Sequence, residues 1–394
     1  MCVPSPRITF MREGLETKLL SAELLSTLIR KSIVILRNRQ GAPPPLSVLT
    51  LHLTNYTESK PSVSFNGVTT FEIESGSRYY RVYLVKDERE ENLRLPEAAK
   101  LAAFFNSKFF HETVIANSLP IPCGRFEQSF RIDDQNVSYL VFVTTFVRGR
   151  RVRELSENEL CLIAEKLGSI HAITSSTMAA EFVRVIEENH ANISTYQNSL
   201  EHHLLRIMED AVEGELAHYF SLPHEVMPRL QAVTANDHMD MSRVPTDRVI
   251  CHGRLTADNC VFRDGNPALL VDITEWENVH FGDVAFDLSH LIITSAEPSV
   301  RRNKYMTIFR SYYYSRVDQR KTNFQLSDLK RLFRMHHRQA VLLGIEPLLE
   351  MLTSSEADAV KREHSYRWES ALEDAFEFAT QDHMSDEEQC LFAK

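Results

Sequence analysis

The chain has 394 residues, 43% hydrophobic and 25% charged, which suits a globular protein with material for two or three folding units. Its formal net charge of -10 opposes phosphate backbones and anionic lipid, so neither nucleic acid nor a membrane surface is an expected partner. Six scattered cysteines (Cys2, Cys123, Cys161, Cys251, Cys260, Cys390) form no C-x-x-C pair, no apolar run reaches the roughly 18 residues that span a bilayer, and the N-terminus lacks a signal-like apolar segment; reduced thiols and a cytoplasmic address are expected.

Apolar spacing predicts a helix over 21–36, broken by Gly41 and by Pro43, Pro44 and Pro45. Strands are expected at 46–53, 68–74 and 79–86, then a charged loop at 88–92 and a helix over 95–110. The β-branched and aromatic run 138–147 reads as a further strand. Beyond it helices dominate, at 156–172, 200–218, 301–314, 327–343 and 357–378, the first opened by a Ser156/Glu159 capping box. A hairpin of strands 259–263 and 267–273 about Asp264-Gly265-Asn266 is embedded among them. The expected organisation is α+β and bilobal: an N-terminal lobe of helix and antiparallel sheet (1–147), a helical C-terminal lobe carrying the hairpin (148–380), and an acidic tail (381–394).

Two patterns stand in order between Val249 and Ile292. The first is His252-Gly253-x-x-x-x-x-Asn259, and the second runs Trp276-Glu277 through Gly282-Asp283 to Asp287-Leu288. Together they resemble the choline/ethanolamine kinases, aminoglycoside phosphotransferases and ecdysteroid-kinase-like proteins, whose loop reads H-G-D-x-x-x-x-N and whose later segment reads D-W-E-x-x-x-x-G-D-x-x-x-D-L. The run Leu167-Gly168-Ser169-Ile170-His171 is similar to a helix ending of the same family. The resemblance implies a protein-kinase-like fold, ATP and Mg²⁺ as cofactors, and transfer of phosphate to the hydroxyl of a small molecule.

Phosphoryl transfer needs a positioned nucleophile and phosphates held by metal through oxygen ligands. By resemblance Asn259 supplies an amide-oxygen ligand; the plainer alternative is that it caps the turn before the hairpin. Arg254 occupies the position of the loop aspartate. A guanidinium has no acceptor lone pair and stays protonated, so it cannot orient a hydroxyl or take its proton. Losing a positioned base typically costs about 10²–10⁴ in rate. Asp258 as a substitute base is disfavoured by its place directly before Asn259.

The second metal position is open between two acids. Family spacing counted forward from Asn259 reaches Asp272, and counted backward from Asp287 it reaches Glu275. The apolar run Leu269-Leu270-Val271 favours Asp272. Asp287 is expected to pin the loop containing His252 by hydrogen bonds, a role compatible with helix N-capping. Lys86, at a strand end, falls where the family has its phosphate-binding lysine, yet the following helix holds no acid, only Glu97 and Glu112 near its ends. The phosphate-covering loop would be Phe65-Asn66-Gly67-Val68-Thr69, with Gly67 its single glycine. The pairs His202-His203 and His336-His337 read as surface or partly buried polar residues, and Tyr312-Tyr313-Tyr314 with Phe309 as helix core.

Three functions follow, in order of preference: a degenerate kinase that binds nucleotide, metabolite or a protein partner; an active ATP-dependent phosphotransferase on a small hydroxylated substrate; and a ligand-free interaction protein in which Arg254 neutralises Asp272 or Glu275.

Overall fold

The computed structural model describes residues 56–380 apart from 59–61, 64–66, 76–77, 88–93, 135–136, 236–243 and 266–267. The helix expected at 21–36, the strand at 46–53, the loop at 88–92, Cys2, Cys390 and the acidic tail lie outside the described residues.

The chain divides into two compact units. Unit 1 comprises residues 1–149, 184–196 and 271–279, and unit 2 comprises 150–183, 197–270 and 280–394. The N-terminal sheet is built from β1 (Tyr56–Glu58), β2 (Ser62–Val63), β3 (Thr69–Ser75), β4 (Arg78–Lys86), β5 (Phe126–Asp134) and β6 (Val137–Thr145). Its order is β1-β3-β4-β6-β5, with β2 also on β3, and every pairing is antiparallel. β5 was not expected. Helix α1 (Leu95–Ala116) outruns its predicted end at 110 and closes before Ser118, whose φ is +50°. Its Leu101, Ala102, Ala103 and Phe104 meet Tyr83 and Val85 of β4 and Leu140 and Phe142 of β6 in the core of unit 1. Tyr83 stacks on Phe142 at 4.2 Å between ring centroids.

In unit 2, α2 (Glu157–Thr177) opens with the expected capping box: Glu159 N donates to Ser156 Oγ, and Ser156 N donates back to Glu159 Oε2. The next helix, α3 (Ala180–Glu213), is 34 residues long, with its stretch 184–196 assigned to unit 1. Then come α4 (Pro223–Ala235), β7 (Arg248–Cys251), β8 (Cys260–Arg263), β9 (Leu269–Ile273) and β10 (His280–Asp283). The chain ends in α5 (Phe286–Ser295), α6 (Pro298–Val317), α7 (Leu326–Leu343), α8 (Ile345–Thr353) and α9 (Asp358–Thr380). β8 and β9 form the predicted hairpin, while the antiparallel pair β7 and β10 is an addition.

Some expectations for the helical part need correction. His336 and His337 are buried, His336 bonding Asp283 Oδ2 at 2.8 Å and His337 the Phe333 carbonyl at 2.9 Å. Of the tyrosine run only Tyr312 belongs to the core, where its hydroxyl meets His171 Nδ1 at 2.8 Å; Tyr314 is 58% exposed. A run of three residues on a helix spans about 200° of its circumference, so it cannot all face inward. Among the described residues Cys123, Cys161, Cys251 and Cys260 are free thiols, and no helix is long and apolar enough to cross a membrane.

Candidate functional site: a loop braced by a buried aspartate

Four predicted residues, His252, Arg254, Asn259 and Asp287, lie in unit 2, and four, Gly67, Lys86, Asp272 and Glu275, lie in unit 1.

In unit 2 the β7/β10 ladder sets the loop. Cys251 pairs with His280 and Arg248 with Asp283, so the antiparallel ladder sets the end of β7, where the chain leaves at His252, beside the start of β10. Asp287, in the first turn of α5, is 1% exposed and accepts hydrogen bonds from His252 N at 2.6 Å and Gly253 N at 3.0 Å, one on each carboxylate oxygen. Gly253 has φ +87°, a backbone shape that strains a residue with a Cβ, and both amides converge on the acid. The N-cap of α5 is Ala285, not Asp287. Burial pushes the Asp287 carboxyl up to about 6, against the pull of the two loop amides. Beside it Asp283 is held below the usual carboxylate range: burial would raise it, but the His336 hydrogen bond and charge, the Ala285 amide and the His280 charge together outweigh that.

The Arg254 amide donates to His252 Nδ1 at 3.2 Å, so that nitrogen acts as an acceptor. The Arg254 side chain is half-buried, and its charge acts on two buried groups, His290 of α5 and Glu346 of α8. Asp258 is exposed, and its charge registers on His364 of α9. Asn259 Oδ1 accepts from Thr256 N at 3.1 Å and Thr256 Oγ1 at 2.9 Å, closing the turn that leads into β8. This is the plainer of the two roles expected for it.

In unit 1 the two candidate metal acids have opposite surroundings. Asp272 is 2% exposed, and its charge acts on Arg81, Tyr83 and Cys123. Arg81 is itself buried and donates to Glu72 Oε1 at 2.8 Å. Burial works against its charge, yet Tyr83, Asp272 and Glu72 together raise its pKa. Burial, aided by Asp272, pushes Tyr83 up to about 12. Glu275, three residues on, is exposed and takes the left-handed conformation with φ +67° and ψ +50°. Beyond it Trp276 stacks on Phe110 of α1 at 4.1 Å and donates to the Ile273 carbonyl at 2.7 Å. Asn106 of α1 clasps the same segment, its Nδ2 donating to the carbonyls of Glu277 at 3.0 Å and Val279 at 2.6 Å.

Lys86 is exposed at the end of β4, opposite Tyr139 of β6. Strand alternation puts it out of step with Arg81, Tyr83 and Val85. The acids considered as its partners are paired locally, Glu97 with Arg94 at 2.6 Å and Glu112 with Lys108 at 2.7 Å. Gly67 has φ +79°, and a Cβ there would sit 3.4 Å from the Lys100 side chain of α1. The sequence reading missed three buried residues. Arg81, a charge at the centre of an apolar strand, was a usable signal; Asn106 and Glu346 gave none.

The chain is thus a protein-kinase-like fold, with an antiparallel N-terminal sheet and a helical remainder. Among solved structures it is similar to choline kinase from Cryptosporidium parvum Iowa II, at 14% identity and TM-score 0.52, over 90% of this chain and 97% of that one. An ethanolamine kinase from Plasmodium vivax aligns at 10% identity and TM-score 0.42, over 96% and 95% of the two chains. An aminoglycoside phosphotransferase from Alicyclobacillus acidocaldarius aligns at 12% and 0.38, over 88% and 97%. Residues 131–323 match the ecdysteroid kinase-like family, which bears out the resemblance carried by the loop and the segment after it. No curated protein matches the sequence.

Kinase-like proteins of this kind use ATP and Mg²⁺, and the donor set here fits that cofactor poorly. Asp272 lies in a buried cluster with Arg81, and Asn259 Oδ1 is engaged by Thr256. Among the described residues no group of three or more His, Cys, Asp or Glu could hold a metal ion. Of the three predicted metal positions only Glu275 is exposed.

Proposed function

We propose that the chain is a degenerate small-molecule kinase: the fold and the braced loop are kept, phosphotransfer is lost or very slow, and the protein acts by binding a ligand. The observation that carries this reading is Arg254 itself, in a loop otherwise built as a catalytic loop would be, with both amides before it fixed on Asp287. A permanent cation there removes the hydroxyl acceptor and repels a divalent metal. The engagement of Asn259 Oδ1 and the burial of Asp272 support the same reading, with Asp272 and Glu275 both candidates for the second metal position.

The test is Mg²⁺-dependent ATP consumption by the full chain against a panel of small alcohols and amino-alcohols. Background-level turnover is expected from the unmodified protein, while robust turnover would overturn the proposal. In Arg254→Asp a gain of about 10²-fold or more is expected only if the metal ligands survive.

A further inference from the structure

The loop that carries Arg254 is tied to helix α5 at both of its ends. At the start of α5, Asp287 takes the amides of His252 and Gly253. At the last residue of α5, the Ser295 hydroxyl accepts the Ala257 amide at 2.9 Å, and the Ser295 carbonyl accepts the Leu155 amide at 2.9 Å. Ser295 is 2% exposed, so neither bond competes freely with water. Asp287 and Ser295 stand about 12 Å apart along the helix axis, close to the reach of an extended chain from Gly253 to Ala257. The loop therefore follows α5 and leaves it only by giving up one of these bonds.

Helix α5 is in turn set by α7, which packs along it. His336 of α7 is 5% exposed, and its Nε2 lies 2.8 Å from Asp283 Oδ2. Asp283, held below the usual carboxylate range, is ionised near neutrality and offers only acceptors, so His336 presents Nε2 as an N–H. The other oxygen of Asp283, Oδ1, accepts the amide of Ala285 at 2.9 Å, and Ala285 is the N-cap of α5. The ring of Phe286, the first residue of the helix, stands edge-on to His280 at 4.8 Å and to His336 at 5.3 Å. One imidazole on α7 thus fixes, through one carboxylate, the point where α5 begins, a half-turn ahead of the acid that holds the loop.

We propose that His336 is the positioning residue of the Arg254 loop: its N–H orients Asp283, Asp283 seats the first turn of α5, and that turn carries Asp287 to the His252 and Gly253 amides. A shift of α7 is delivered to the loop along this chain of bonds. The inference goes beyond the degenerate-kinase reading and holds whether or not the loop transfers phosphate, because every bond in it is made by the chain itself. The far end of the loop is held separately, by Ser295 in the last turn of α5.

The experiment follows deuterium uptake at single amides of the full chain, by mass spectrometry with electron-transfer fragmentation. His336→Gln keeps an N–H at about the place of Nε2, His336→Asn stops short of it, and His336→Phe keeps a ring without the donor. In the Asn and Phe variants, exchange at His252 and Gly253 is expected to rise at least about tenfold, with Ala257 changed less than about twofold. The Gln variant should exchange as the unmodified chain does. Ser295→Ala should give the mirror image, with faster exchange at Ala257 alone. Unchanged exchange at His252 and Gly253 in His336→Asn overturns the proposal. Faster exchange spread evenly over α5, α7 and the β8–β9 hairpin does so too, since that is the mark of lost packing. Failure of His336→Gln to restore protection also overturns it, because the ring against Phe286 would then be the cause. If His336→Phe does not fold, the Asn and Gln pair still decides.

Discussion

Asp287 holds the loop by accepting two amide hydrogens on a carboxylate buried to 1% exposure. Bonds to a charged acceptor are worth about 1.5–3 kcal/mol each, and losing the acceptor strands both donors. Asp287→Ala is expected to cost about 3 kcal/mol in chemical denaturation; a loss under 1 kcal/mol would mean the loop is held some other way. Glu275 makes a subtler case. A side chain at φ +67° carries about 1–2 kcal/mol of strain that glycine would not. Glu275→Gly should therefore leave the melting temperature unchanged or higher, and Glu275→Val should lower it, the opposite order from an extended position. The Asp287 interaction was legible because spacing from a loop to a helix start survives in one dimension. The choice between Asp272 and Glu275 was not. Three residues along a strand and into a turn reverse which way a carboxyl faces, and no count of residues reports that.

Between α1 and the segment 276–279, the Asn106 amide replaces what would otherwise be a purely apolar contact. Asn106→Ala leaves the Glu277 and Val279 carbonyls without this donor, at an expected cost of about 2–4 kcal/mol, with the Phe110–Trp276 stack losing its alignment. Near-ultraviolet circular dichroism of the tryptophan region would report it; an unchanged spectrum and stability would show the clasp to be incidental. Which elements the sequence revealed follows from their environment. α2 was plain because its capping box and apolar stripe are local. β5 was missed because it is an edge strand with a bulge between Phe126 and Gln128 and with Glu127, Arg131, Asp133 and Asp134 interrupting its alternation. α5 was missed because its residues are buried almost all round, which erases the amphipathic period. Pro228 inside α4 and the single residue Gly344 between α7 and α8 hid two more helices.

Among the described residues, buried histidines set the response to acid. His111 is lowered to about 4, and His171, His290 and His337 to about 3, in each case by burial first. Their folded pKa lies below the unfolded value near 6.5, so the stability they contribute is present above that pH and is lost as pH falls toward the folded values. Asp287 and Glu346, raised to about 6 and about 7, act in the opposite sense. Among the described residues these most strongly shifted groups, four histidines against two acids, leave a net uptake of about two protons on unfolding, so stability should fall by about 2–3 kcal/mol per pH unit below pH 6.5. A melting temperature that is flat or rising between pH 6.5 and pH 4.5 would contradict this balance.

The same whole-molecule view bears on how the protein is made. Residues 184–196 and 271–279 complete unit 1, and the second of these supplies Trp276 to the stack on Phe110. A nascent chain on the ribosome therefore carries a sheet and α1 lacking their closing segment until residue 279 has emerged, although about half of unit 2's own sequence precedes that residue. Neither unit can be finished vectorially before the other begins. Cutting the gene at residue 149, where a linear map would place the boundary, should yield an N-terminal fragment that stays dependent on chaperones and refolds only when both missing segments, 184–196 and 271–279, are supplied.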